Sequence, residues 1–270
     1  MQIASRTCLW KNTGLGTEVV VEMTEETGLY IKFIFRPSDE KEVRVDWGDG
    51  SFDFFANGTS DMTCEHTYSD YGRRRIVFYG IQNICFRVLD GQPQYSYDAA
   101  IISVVDHCGE ITGSRSGAFK RAVNLERFIT PNCAGLGQRD FAYCTKLREV
   151  VLGMSGWCYD GTFQYCSALE SFTTGSTGVC WSYVWQGCTS LRELRLGAVN
   201  QFATQDFANT PNLMDIWISD KTIDQIQGKA ASGNIVKGYN AAFPWGANSN
   251  CRFHGTDGIV RADGTVIERF

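Results

Sequence analysis

From Phe119 to Ile218 the apolar positions keep a 22-residue period, five times over, with no insertion or deletion. Leucine recurs at Leu125, Leu147, Leu169, Leu191 and Leu213. Three residues on stand Phe128, Val150, Phe172, Leu194 and Ile216, and five on stand Thr130, Leu152, Thr174, Leu196 and Ile218. An aromatic precedes each leucine by six positions, at Phe119, Phe141, Phe163, Trp185 and Phe207. Apolar side chains at alternate positions after each leucine predict a short strand with one buried face. A fixed period predicts coils stacked on one another. Ahead of the repeat, apolar and β-branched runs at Glu18–Met23, Leu29–Phe35, Val43–Trp47, Phe52–Ala56, Ile76–Tyr79 and Ile84–Leu89 are separated by Thr27-Gly28, Pro37-Ser38, Gly48-Asp49-Gly50 and Asn57-Gly58. Short strands at that spacing predict a sandwich. After the repeat, Cys251–His254 reads as a strand, and Ile259–Ile267 as a hairpin turning on Asp263-Gly264.

The L-x-x-L-x-L spacing resembles that of leucine-rich repeats. The unit Phe141-Ala142-Tyr143-Cys144-Thr145-Lys146-Leu147 more closely resembles the BspA-like repeat, in which aromatic, cysteine and leucine keep phase. The likeness spans about 110 residues, five units from Ile111. It departs at the ends, where Ala122 and Thr210 stand in place of the cysteine and Pro211 precedes the last leucine. Ala100–Val105 is expected to form a degenerate capping strand. In the N-terminal region, Trp47-Gly48-Asp49-Gly50 followed by His66-Thr67-Tyr68 and Gly72 resembles a PKD domain, an immunoglobulin-like sandwich. The expected fold is mainly β. Residues 1–96 form the sandwich, 97–220 the solenoid, and 221–270 a cap whose β-hairpin covers the end of the coil. These resemblances imply a binding or adhesion protein of a bacterial surface, outside the cell. A bacteriophage virion component is the alternative.

Composition narrows the function. A net charge of -5 gives no electrostatic footprint for nucleic acid, and the apolar runs are too short for a membrane span. Met1–Cys8 lacks the apolar core of a signal peptide, so either a leader is already removed or export takes another route. Eleven cysteines include no C-x-x-C, the spacing of zinc and redox sites. Cys144, Cys166 and Cys188 share one phase, as do Cys158 and Cys180. Inward packing of a small thiol accounts for that better than a disulfide or metal ladder does. No H-E-x-x-H, G-x-S-x-G, P-loop or dinucleotide motif is present. The carboxylates Asp257 and Asp263 both precede turn glycines, and Asp46, Asp49 and His66 suit a turn better than a metal or acid–base site. No catalytic residue, metal or cofactor is expected. A protein or glycan ligand is, and oligomeric state is left open.

Between the buried positions the repeat presents columns. Glu126, Arg148, Glu170, Arg192 and Met214 alternate in sign, as a stabilising ladder would. The next columns run Arg127, Glu149, Ser171, Glu193, Asp215 and Ile129, Val151, Thr173, Arg195, Trp217. Apolar groups in the open favour a contact surface. The candidate ligand-binding residues are therefore Glu149, Val151, Thr173, Glu193, Arg195, Asp215 and Trp217. Trp217 fits packing beneath the C-terminal tail equally well. Trp157, Trp181, Tyr159 and Tyr183 suit either filling of the coil's corners or stacking on sugar rings.

Overall fold

A single sheet runs through nearly the whole molecule. The computed structural model describes residues 16–37, 42–85, 99–109, 111–114, 116–133, 135–153, 157–238 and 242–270. Strands β1 (Thr17–Met23), β2 (Tyr30–Pro37), β3 (Val43–Asp46), β4 (Phe52–Phe55), β5 (Met62–Thr67), β6 (Gly72–Tyr79) and β7 (Ile81–Cys85) build the N-terminal region. They divide into β4-β3-β6-β1 and β5-β2-β7, antiparallel throughout. Phe33 of β2 meets Phe78 of β6 edge to face at 5.1 Å, which joins the two layers. The expected runs cover β1 to β4 and the second half of β6 but meet β7 only at Ile84 and Cys85, and they miss β5. That strand buries only Cys64 among polar neighbours and so has almost no apolar signal. The part of the expected Ile84–Leu89 run beyond Cys85 lies outside the described residues.

β8 (Ile101–Asp106) is not a simple cap. It pairs antiparallel with β1 on one side and parallel with β9 (Arg127–Thr130) on the other. The ladder continues in parallel through β10 (Glu149–Leu152), β12 (Ser171–Cys180), β13 (Glu193–Phe202), β14 (Asp215–Ile218) and β16 (Arg252–Gly255). The hairpin β17 (Gly258–Arg261) and β18 (Val266–Arg269) then extends the same sheet, so β18 becomes its outer edge. Two short strands, β11 (Trp157–Cys158) and β15 (Val236–Lys237), pair with the far ends of β12 and β13 and begin a second wall of the coil. A one-turn helix, α1 (Ile223–Ile226), is closed by a Thr222–Gln225 capping box and buries both isoleucines. Buried side chains from Val19 to Ala262 form one core.

The repeat's apolar residues fill that core. The five leucines and five aromatics are at most 1% exposed, and Phe119, Phe141 and Phe163 stack at 5.3 Å per step. The phase-locked cysteines do more than fill space. Cys144, Cys166 and Cys188 each direct Sγ at the carbonyl of the preceding coil's aromatic, at 3.0, 3.0 and 3.1 Å. Nine cysteines between Cys64 and Cys251 form no disulfide. Burial pushes the Cys188 thiol up to about 12 and Cys166 higher than usual, which leaves them inert.

Two residues per coil, flanking the inward aromatic, have left-handed backbones. Gly117, Arg139, Gly161, Tyr183 and Gln205 stand two positions before it, and Arg121, Tyr143, Tyr165, Gly187 and Asn209 two after, all with φ between 57° and 76°. The reason is directional. From Gly117, Phe119 and Arg121 onward, alternate N–H groups donate to the next coil, as in Arg139→Asp160, Phe141→Thr162 and Tyr143→Gln164. A right-handed turn would aim them elsewhere. A non-glycine residue in this region costs about 1–2 kcal/mol. Exposed Gln205 (φ 58°) is thus a site of stored cost, and Gln205→Gly is expected to raise unfolding stability by about 1 kcal/mol while Gln205→Val lowers it. Urea midpoints of the two variants check this. The coil corner after the leucine strand is tight in another way: a Cβ on Gly153 or Gly175 would overlap the carbonyl oxygen of Pro131 or Gly153.

Candidate recognition face

Strand register fixes which side chains stand together. Glu149 faces Arg127, Glu193 lies between Ser171 and Asp215, and Arg252 of β16 completes that column. In the neighbouring column Val151, Thr173, Arg195 and Trp217 run in order and end on His254. All seven expected residues therefore share one face. Glu149, Val151, Thr173 and Arg195 are exposed, and Glu193, Asp215 and Trp217 are half-buried. Neither Arg252 nor His254 was expected there, because only the pairing of a distant tail strand with β14 brings them in.

Chemistry concentrates at the C-terminal end of this face. The Arg195 guanidinium lies over the indole of Trp217, with Cζ 4.3 Å from the ring centroid, and its Nε donates to Glu193 Oε1. His254 stacks on the indole at 4.3 Å and 13°. Its Nε2 is hydrogen-bonded to Asp215 Oδ1 at 2.7 Å, while Arg252 Nη2 donates to Asp215 Oδ2 at 2.6 Å. Partial burial pushes the Asp215 carboxyl up, but the hydrogen bonds and charges of Arg252 and His254 outweigh it and hold the group below the usual range. The tail therefore covers one face of Trp217 through His254, and Arg195 covers the other. Beside it opens a shallow cleft of about 400 Å³ lined by Thr174, Gly175, Arg195, Gly197, Ser219 and His254 among others.

The charge ladder expected of Glu126, Arg148, Glu170 and Arg192 is not formed: among the described residues no ion pair joins them. Their backbones do stack, Arg148 N–H donating to the Glu126 carbonyl and Arg192 N–H to the Glu170 carbonyl, both at 2.9 Å, but the charged ends do not meet. The ion pair forms one column on, between Arg127 and Glu149 at 2.6 Å. On another side of the coil, Trp157, Tyr159 and Trp181 lie with near-parallel rings 6.0 and 6.1 Å apart, and Tyr143 stacks on Tyr165 at 5.0 Å.

The remaining titratable groups have structural work. Asp46 accepts from Gly48 N–H, and Asp49 from Ser51 N–H and Oγ and from His66. Burial raises the Asp49 carboxyl, but these bonds overcome it and lower the group to about 2. Asp257 accepts from Ile223 N–H, and Asp263 from Thr265 N–H. Asp140 and Asp206 are buried inside coil turns and carry the raised carboxyls that often mark catalysis, yet their oxygens are taken up by neighbouring backbone. Asp140 meets the N–H groups of Ala118 and Gly137 and the Ser114 hydroxyl; Asp206 meets those of Val184 and Ala203. Among the described residues no three His, Cys, Asp or Glu side chains gather as a metal site would require.

The repeat has a recognised class. Residues 112–235 match the BspA type leucine rich repeat region in six copies. That is one copy more than the units legible by period alone. Among solved structures, a leucine-rich repeat protein of T. pallidum is similar at 20% identity, covering 58% of this chain and 73% of its own, with a TM-score of 0.40. No curated protein matches the chain. No helix among the described residues is long and apolar enough to cross a membrane.

Proposed function

We propose that this chain is a non-enzymatic recognition or adhesion module of a bacterial surface that binds a partner through the strand columns of its repeat. The observation that carries this reading is the end of the face. There, exposed Val151 and Thr173 lead into the clasped Arg195–Trp217–His254 stack beside a cleft, all on hydrogen-bonded strands. A rigid sheet loses little entropy on binding, and aromatic and arginine side chains are enriched at binding hot spots. A protein is favoured over a glycan as ligand. Sugar rings stack on open aromatic faces, and both faces of Trp217 are occupied.

The N-terminal sheets fit a PKD-like spacer. Tyr68 Oη donates to the Trp47 carbonyl at 2.9 Å, and His66 stacks on Trp47 at 4.8 Å, so the two motifs brace each other. Through β1 and β8 that spacer continues into the repeat's sheet and would present it at a fixed angle.

The test uses the full chain on a sensor surface against purified extracellular glycoproteins before and after enzymatic removal of their glycans. Trp217→Ala or Val151→Glu is expected to weaken capture at least tenfold, and deglycosylation to leave it intact. Tyr143→Ala, outside the strand columns, should bind as the parent does. Equal loss from Tyr143→Ala, or none from the column variants, would move the site elsewhere.

A further inference from the structure

We propose that the cleft beside Trp217 takes the carboxylate of an acidic side chain on the partner protein, and that the Arg195 guanidinium grips it; the inference rests on the recognition face proposed above. Arg195 is fixed before any ligand arrives. Its Nε–H is committed to Glu193 Oε1 on the same strand, and its plane is set by the indole 4.3 Å below. Those two contacts consume one of the five N–H donors of a guanidinium. Among the described residues no acceptor lies on Nη1 or Nη2, so four donors point outward from a held group. A planar fork held at its Nε and over the indole, open at its outer edge, fits an oxyanion with two coplanar oxygens, which it binds through two parallel N–H···O bonds.

The rest of the cleft supports the fork rather than competing with it. Glu193 is spent on Arg195, and Asp215 on Arg252 and His254. Arg195 and Arg252 balance Glu193 and Asp215, so no net field repels an incoming carboxylate. Recognition then depends on the shape of the fork, not on overall charge. His254 covers the second face of the indole at 4.3 Å and keeps Trp217 from swinging away beneath the arginine. The flanking positions also suit a peptide: exposed Val151 and Met214 offer apolar contact beside a charged anchor, the usual make-up of a protein interface.

The experiment follows two nitrogen signals of the full chain by ¹H–¹⁵N NMR: the Trp217 indole N–H, identified by its loss in Trp217→Phe, and the Arg195 Nε–H. Three probes are titrated: N-acetyl-glutamate α-amide, its neutral glutamine counterpart, and glucuronate. The glutamate probe is expected to shift both signals saturably, with the glutamine probe binding at least tenfold more weakly. Arg195→Lys keeps the charge but loses the fork, and is expected to weaken the glutamate response at least tenfold while leaving the ligand-free spectrum of the other strands in place. Three results would overturn the inference: equal shifts from the glutamine probe, an undiminished response in Arg195→Lys, or a response to glucuronate with none to glutamate. A flat titration with all three probes would also sink the carboxylate assignment. It would leave the broader recognition face standing if Trp217→Ala still abolishes capture of the glycoproteins.

Discussion

Replacing Asp206 with alanine is expected to lower unfolding stability by about 3 kcal/mol or more, from a site with no solvent exposure and no ligand. Asp206 Oδ1 accepts the N–H of Val184 from the preceding coil at 3.1 Å, and Oδ2 accepts the N–H of Ala203 at 2.8 Å. Each buried donor left without an acceptor costs about 1–3 kcal/mol. The positions in phase with Asp206 explain why two coils need an acid and others do not. The N–H of Thr162 reaches the Tyr159 carbonyl three residues back, within its own coil. Ala118 and Val184 instead turn to a carboxylate in the next coil, Asp140 and Asp206 respectively. Asp206→Asn retains the shape and one acceptor oxygen, so it should lose about half as much as alanine. Urea unfolding of the three chains gives the ranking. An alanine variant within 1 kcal/mol of the parent would mean that water or a shifted turn replaces both bonds.

The repeat was legible because burial imposes the same side-chain type at the same phase in every coil. Leu147, Phe141 and Cys144 could be placed without coordinates for that reason. What the period hides is whatever varies at one phase. Ala118, Asp140, Thr162, Val184 and Asp206 share a position but not a chemistry, so the inter-coil acids carry no periodic signal. The left-handed positions leave only a partial trace: Gly117, Gly161, Gly187 and Asn209 hint at them, while Arg139, Tyr143, Tyr165 and Tyr183 conceal them.

The recognition face divides along the same line. Arg195 and Trp217 are column neighbours by arithmetic on 22, so their meeting could be read directly. His254 and Arg252 lie outside the period, and only strand pairing at long range sets them beside Trp217. The union of the two regions was hidden for the same reason, since the β1–β8 pairing joins residues as far apart in sequence as Thr17 and Asp106. The hairpin at Asp263-Gly264 was legible locally, but not the way it closes the repeat, which is to add β16, β17 and β18 beside β14 so that β18 becomes the sheet's edge.

The second large effect is a dependence on pH seated at Asp140. Burial pushes this carboxyl from 3.8 up to about 7, against the lowering pull of Ser114 and the N–H groups of Ala118 and Gly137. In the unfolded chain the group ionises near 3.8, whereas in the fold it keeps its proton until about 7. The folded state therefore binds more protons between those values. Its stabilising contribution is full below pH 4 and is lost as pH rises through 7. At about 1.4 kcal/mol per unit, the span amounts to about 4 kcal/mol. Asp140→Asn has no such proton to lose. Subtracting its unfolding free energy from the parent's, pH by pH, cancels every other titrating group, including Asp206, whose carboxyl is raised by burial in the same sense. The difference is expected to fall by about 4 kcal/mol in the parent's disfavour between pH 4 and pH 9, with half of the fall complete by about pH 5.5 and the curve level above about pH 7. A level difference would mean that the three donors around Asp140 stabilise its charge as well as water does. A difference that rises with pH would reverse the sign, and would make Asp140 an ionised anchor of the first coil turn.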